Sequence, residues 1–218
     1  MRYIIDGLMN YCILLVFLVI IELFIYKFYK KQNLIVSKGF CIGFQVFAFL
    51  IILILSITNS GGINEVGSFG DSIIRLDEIN LIPFYWVSND LFGLIMNIIL
   101  FVPVGILVPL LWKNNSSLKN TVFIGFVFSL FIEVSQLFNF RATDIDYLLM
   151  NTLGSALGYF IYYLFFRKLQ LFKVENNSDN WFIKNSALVS ILSILLFYFF
   201  IGKPILKYAL FVIYSNLY

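Results

Sequence analysis

Glu133, Gln136 and Ser129 are the residues whose types and spacing first suggest chemistry. Gln136 lies three residues after Glu133 and Ser129 four before it, so a helix through them carries all three on one side. A second polar set follows in Asp144, Asn151 and Ser155, which share a face with Leu148 on a helix beginning near Asp144. The turn 139–143 between the two sets holds Arg141, placed to reach either carboxylate or an anionic ligand. Such a constellation supports two kinds of work. In a binding site, Arg141 would clamp a phosphate or carboxylate while Asn97, Gln136 and Asn151 fix its orientation by hydrogen bonds. In an enzyme, Glu133 would serve as general acid or base, with Asp144 and Asp146 holding a substrate or a divalent cation such as Mg²⁺ through oxygen ligands. No independent nucleophile signature accompanies them, and the binding reading needs no cofactor.

These residues interrupt long apolar runs. Of 218 residues, 61 % are hydrophobic and 12 % charged, against about 25 % charged in a soluble domain. Runs at 8–26, 40–57, 91–112, 121–138, 148–166 and 187–201 each approach the ~20 residues that cross a bilayer. The expected fold is therefore all-α, a polytopic transmembrane bundle of about six spans. A further run, 205–214, follows Gly202-Lys203-Pro204 and reads either as part of a longer last helix or as an interfacial segment. The first run lacks a small-residue cleavage site before Lys27, Lys30 and Lys31, so it reads as a retained helix. No internal repeat or soluble domain is visible, and a transporter's paired broken helices are not seen.

The chain has no histidine, which excludes a Ser-His-Asp triad and argues against zinc chemistry. Its two cysteines, Cys12 and Cys41, fall toward opposite membrane faces and are not expected to pair. The net charge of +3 comes from short basic clusters and gives no support to nucleic-acid binding.

Lysine and arginine set the expected orientation. Segments after the first, third and fifth spans carry Lys27, Lys30, Lys31 and Lys38, then Lys113 and Lys119, then Arg167, Lys168, Lys173 and Lys184. The remaining segments hold only Arg2, Arg75, Arg141, Lys203 and Lys207. The positive-inside rule then puts the N-terminus and the loop 58–90 on the outer side of the membrane. Helical rise converts that topology into depth: Asn97 lies roughly 9 Å, Glu133 roughly 8 Å and Asn151 roughly 10 Å below the outer face. Three helices thus bring polar groups to one level. Glu22 lies near the other end, beside Lys27, and does not join them.

Purely structural roles compete at each position. Thr143 followed by Asp146 has the form of a capping box, with Asp144 and Asp146 complementing the positive end of the fifth helix. Gly154 and Gly158 form a GxxxG pair suited to close helix packing, and Pro103 with Gly105 suits packing or a kink. Glu133 and Arg141 also read as a buried structural ion pair.

Three segments then occur in order: Asn80-Leu81-Ile82-Pro83-Phe84, the stretch from Asn97 to Gly105, and the stretch from Ser129 to Phe138. Arg141, Asp144-Ile145-Asp146, Asn151-Thr152-Leu153-Gly154 and Gly158-Tyr159 follow. This ordered set resembles the VanZ-like family of bacterial membrane proteins over 40–166. One position departs from it, because the family's D-x-D-D ends here in Tyr147. The resemblance divides the chain into a helix and basic loop at 1–39, a VanZ-like membrane domain at 40–166, and a loop, helix and short apolar tail at 167–218. It implies a cell-envelope role, with the family's named member associated with low-level teicoplanin resistance. Membrane lipids or a cell-wall precursor become the expected partners, and Asn80 joins the candidate ligand-binding residues.

Overall fold

The computed structural model describes residues 2–31, 37–58, 79–85, 90–138, 143–169 and 181–215. Its elements are α1 (Arg2–Lys31), α2 (Lys38–Ile57), β1 (Ile79–Asn80), α3 (Leu91–Leu111), α4 (Leu118–Gln136), β2 (Thr143–Asp144), α5 (Ile145–Ile161), α6 (Trp181–Lys184), α7 (Ser186–Phe197) and α8 (Lys203–Ser215). Among the described residues six helices are long and apolar enough to cross a membrane, as the composition requires. A π-helical stretch, Tyr198–Gly202, joins α7 to α8, and the last span runs Ser186–Tyr208. The run after Gly202 therefore continues the last helix.

Polar caps set several helix limits. The side chains of Ser37, Asp90 and Ser117 accept the N–H groups of Phe40, Gly93 and Asn120, opening α2, α3 and α4. At the far end of α2 the Thr58 N–H and hydroxyl both return to the carbonyl of Ile54, at 2.9 and 2.8 Å. Pro103 and Pro109 lie inside α3 without ending it.

The most buried helix is α2, whose Phe44, Phe47, Ala48, Ile51 and Leu55 are fully enclosed. Trp112, at the end of α3, packs edge-on against Phe40 and Phe47 near the start of α2. Tyr29 of α1 meets the same Phe40. The C-terminal ends of α1 and α3 and the start of α2 thus share one end of the bundle, and Lys30, Lys31, Lys38 and Lys113 gather there. Helix α1 runs antiparallel to α2 and is tied to it by polar contacts, from Asn10 to Ser56 at 3.3 Å and from the Gln45 amide to Glu22. Glu22 is accordingly an α1–α2 fastening remote from Glu133. Outward faces stay apolar, with Phe92 75 % and Leu164 72 % exposed, as a lipid-facing surface should be.

Helices α3 and α5 run parallel and almost touch. A Cβ on Gly154 would lie 2.3 Å from the Ile98 carbonyl oxygen, and one on Gly158 would lie 2.1 Å from that of Val102. In return, a Cβ on Gly105 would lie 2.1 Å from the carbonyl oxygen of Ser155. The GxxxG pair is therefore a packing surface, as its spacing suggests. Above it, β1 and β2 pair in parallel, Ile79 with Thr143 and Asn80 with Asp144, a short pairing within an otherwise helical fold. The two parallel helices also begin alike. Asp90, Leu94, Met96 and Asn97 match Asp144, Leu148, Met150 and Asn151 in spacing, a likeness too brief to register as a repeat along the chain.

Gly105→Ala or Gly158→Ala should force α3 and α5 apart and lower stability by about 1–3 kcal/mol. Thermal unfolding in detergent will measure the loss, and Gly202→Ala, whose Cβ would meet only the Leu14 side chain at 3.0 Å, provides the comparison.

Candidate functional site

Opposite the lysine-rich end, three buried carboxylates are joined by backbone donors. Glu133 on α4 is 4 % exposed, and its Oε2 accepts the N–H of Asp144 at 2.9 Å. Asp144 accepts the N–H of Asp146 on Oδ1 at 2.8 Å. Asp146 in turn accepts the N–H of Phe84 on Oδ1. Each acid therefore receives a donor from the next segment, and the series binds α4, the start of α5 and the 79–85 segment together. The other oxygen of Asp144 accepts from the Asn80 amide at 2.8 Å, while Asn80 Oδ1 accepts the N–H of Ile82 at 3.1 Å.

The cap of α5 differs from the capping box read in the sequence. Asp144 itself is the N-cap. Thr143 instead donates its hydroxyl to the Glu133 carbonyl at 3.0 Å, because pairing of β2 with β1 holds it in extended backbone outside the helix. Phe84 adopts φ 65°, an uncommon left-handed conformation for a non-glycine residue, while its N–H bonds Asp146.

Below this ledge lie the amides. Asn151 is 1 % exposed and donates to Ser129 Oγ at 3.0 Å, whereas its Oδ1 has no hydrogen-bond partner. Gln136 donates to the Thr58 carbonyl at 3.2 Å, and its Oε1 is likewise buried without a partner. Asn97 is half-buried on α3, in the turn level with Asn151, since Gly154 one turn further on faces Ile98 and Phe101. The structure thus brings together Asn80, Glu133, Asp144 and Asp146 directly and adds Asn151 through Ser129. Gln136 stands one turn beyond Glu133 but turns toward α2. Arg141, the expected clamp, lies outside the described residues.

Asp90 is a participant that the sequence reading missed. It caps α3 and accepts the Tyr147 hydroxyl at 3.2 Å. Tyr147 occupies the place where the D-x-D-D pattern has its last acid, so a carboxylate from α3 meets the side chain that replaces it. The only signal in the sequence was that substitution.

Two positive helix termini face these acids, because α3 begins at Asp90 and α5 at Asp144. Aligned peptide dipoles there favour negative charge, and backbone N–H donors solvate it further. Among the described residues no three His, Cys, Asp or Glu side chains converge as ligands for a metal ion. Two sizeable cavities lie toward the other end of the bundle, one apolar between α1 and α7 and one polar between α4 and α7.

Asn80→Ala and Asp144→Ala should each cost about 1–3 kcal/mol of stability, because each leaves a buried polar group unmatched. In the double variant the losses should fall short of their sum, since one bond is removed twice. Strict additivity in thermal unfolding would show that the 2.8 Å contact contributes no coupling.

The VanZ/LLP1 family pattern matches residues 40–167, which covers α2 to α5 and the whole ledge. No curated protein and no solved structure matches the chain. With more than half of its length matched, and with six helices able to span a bilayer, the chain belongs to the VanZ/LLP1 family of membrane proteins.

Proposed function

We propose that this protein works in the bacterial cell envelope by binding the polar part of an anionic membrane lipid or cell-wall precursor at the carboxylate end of α3, α4 and α5, with that end facing outward. The observation that carries the reading is the pair of buried acceptors without partners, Asn151 Oδ1 and Gln136 Oε1, on the same two helices, α5 and α4, as the acid series. Buried polar atoms are nearly always satisfied, so an orphan invites a ligand donor or water. Carboxylates and amide oxygens together suit hydroxyl and amino groups, and the anionic portion of the ligand falls to Arg141. Resistance to teicoplanin is the expected consequence in cells. The alternative role of Glu133 as general acid or base is less favoured by this geometry, since its Oε2 is committed to a backbone N–H.

Glu133→Gln separates charge from structure, because an amide oxygen can still accept the Asp144 N–H. In a susceptible bacterium expressing the chain, teicoplanin resistance should fall to the level of an empty vector with Glu133→Gln, at nearly unchanged thermal stability. Arg141→Ala should abolish binding of labelled envelope lipid by the purified protein. Lipid binding unaffected by Arg141→Ala would sink the proposal, and resistance that merely tracks stability would return the acids to a scaffolding role. Conversion of the lipid by purified protein, with or without Mg²⁺, would replace binding with catalysis.

A further inference from the structure

Helices α1 and α7 meet in one half of the bundle and part in the other. Phe17 stacks on Phe197, and Leu14 lies against Gly202 just beyond α7. From that contact toward the lysine-rich end a groove of about 440 Å³ opens between the two helices, the volume of a small-molecule site. Ile20, Phe24 and Phe28 form one wall, and Val189, Ser190 and Ser193 the other. The hydroxyls of Ser190 and Ser193 donate to the carbonyls of Ser186 and Val189 at 2.7 and 2.8 Å, so the walls are apolar in effect. Ile20 and Phe24 are each more than half exposed, which leaves the groove open sideways to the bilayer.

Tyr29 is the informative residue. It lines the lysine-rich end of the groove and is 2 % exposed, and its hydroxyl is buried with no hydrogen-bond partner among the described residues. The Ser186 hydroxyl and the Trp112 indole N–H stand beside it, yet the indole nitrogen is also buried and unpartnered. An indole N–H can only donate, and the phenol next to it still has its own proton to give. Two enclosed donors with nothing to receive them mark a place that lacks an acceptor.

We infer that the groove holds one acyl chain of a bilayer glycerolipid, whose ester carbonyl accepts the Tyr29 hydroxyl. The depth fits such a chain. Tyr29 lies two residues from the end of α1 and nine from Ile20. Nine residues of helix rise about 13 Å, and one leaflet's share of a hydrocarbon core about 30 Å thick is about 15 Å. The ester therefore sits at the lysine-rich interface, and the chain runs inward until the Phe17–Phe197 stack stops it. A helix from a partner protein would suit the site less well, because its backbone carbonyls are already bonded within it, whereas an ester carbonyl arrives free. Both walls lie outside the family-matched stretch 40–167. The site is separate from the acid series and stands whether or not that end binds an envelope ligand.

The test uses the full-length protein in detergent, with native mass spectrometry to read the lipid it retains. The probes are dioleoyl phosphatidylglycerol, which carries ester carbonyls, and its dialkyl ether analogue, which has none. The wild type should retain the diester about fivefold more strongly than the ether. Tyr29→Phe should bring the diester down to the level of the ether, and Val189→Phe, which fills the groove, should abolish retention of both. Leu164→Phe, on a lipid-facing surface elsewhere, should change neither. Melting temperature in lipid-free detergent checks each fold, and Tyr29→Phe should not lower it, since the hydroxyl it removes has no partner there. If Val189→Phe does not fold, Ser193→Phe takes its place. Equal retention of diester and ether, as a bound water on Tyr29 would give, overturns the proposal, and so does diester retention unchanged by Tyr29→Phe. A lipid-free dimer that Val189→Phe dissociates also overturns it and gives the groove to a second copy of the chain.

Discussion

Two carbonyl groups of α3, those of Ile98 and Val102, approach α5 so closely that only hydrogen fits between them and the α-carbons of Gly154 and Gly158. In a bilayer, helices gain little from burying apolar side chains against one another, because lipid is equally apolar; close backbone approach is what distinguishes a packed pair. The contact fixes the register of two parallel helices, and other features follow from it. Ser155 comes against Gly125 of α4, where a Cβ on that glycine would lie 2.1 Å from the serine Oγ. Asn151 then meets Ser129 one turn higher. With α5 held there, its N-terminus stands beside Glu133, and β2 is positioned to receive β1.

Buried acids are expensive in hydrocarbon unless they are paired or hydrogen-bonded. This protein meets the cost with backbone N–H groups, which in lipid also need partners. The N–H of Phe84, of Asp146 and of Asp144 are each satisfied by a carboxylate, and each carboxylate is solvated by a donor. One set of bonds thus settles two liabilities. It also explains how a connecting segment with Leu81, Ile82 and Phe84 largely exposed stays attached to the bundle, since its attachment runs through Asn80 and the Phe84 backbone. The apolar side chains suit the headgroup interface, leaving the polar atoms to grip the helices.

Hydropathy alone located every span, because length and apolar run are what a bilayer selects. Helical rise puts Asn97, Glu133 and Asn151 at one level, whereas Asn151 bonds Ser129, a turn further from the acid end of α4 than Glu133, so the amide lies deeper than the acid. What could not be read were the azimuths and the partners. Depth does not say which way Gln136 turns, and it turns toward Thr58 on α2. Nor did the local pattern Thr143 to Asp146 reveal that Asp144 would be the cap, since a pairing with β1, more than sixty residues away in sequence, decided the conformation of Thr143. Asp90 escaped notice for the same reason. Its carboxylate gains meaning only through Tyr147, on a different helix.

The two ends of the bundle offer opposite chemistry to their surroundings. At one end Glu133, Asp144 and Asp146 are buried among backbone donors, with the acceptors Asn151 Oδ1 and Gln136 Oε1 unpaired nearby on α5 and α4; at the other, Lys30, Lys31, Lys38 and Lys113 gather at the ends of α1 and α3 and the start of α2. Buried carbonyl oxygens without partners call for donors, so hydroxyl or amino groups suit the acid end better than a bare phosphate does. Of the two, the acid end lies wholly within the stretch that the family pattern matches, 40–167, whereas Lys30, Lys31 and Lys38 lie outside it.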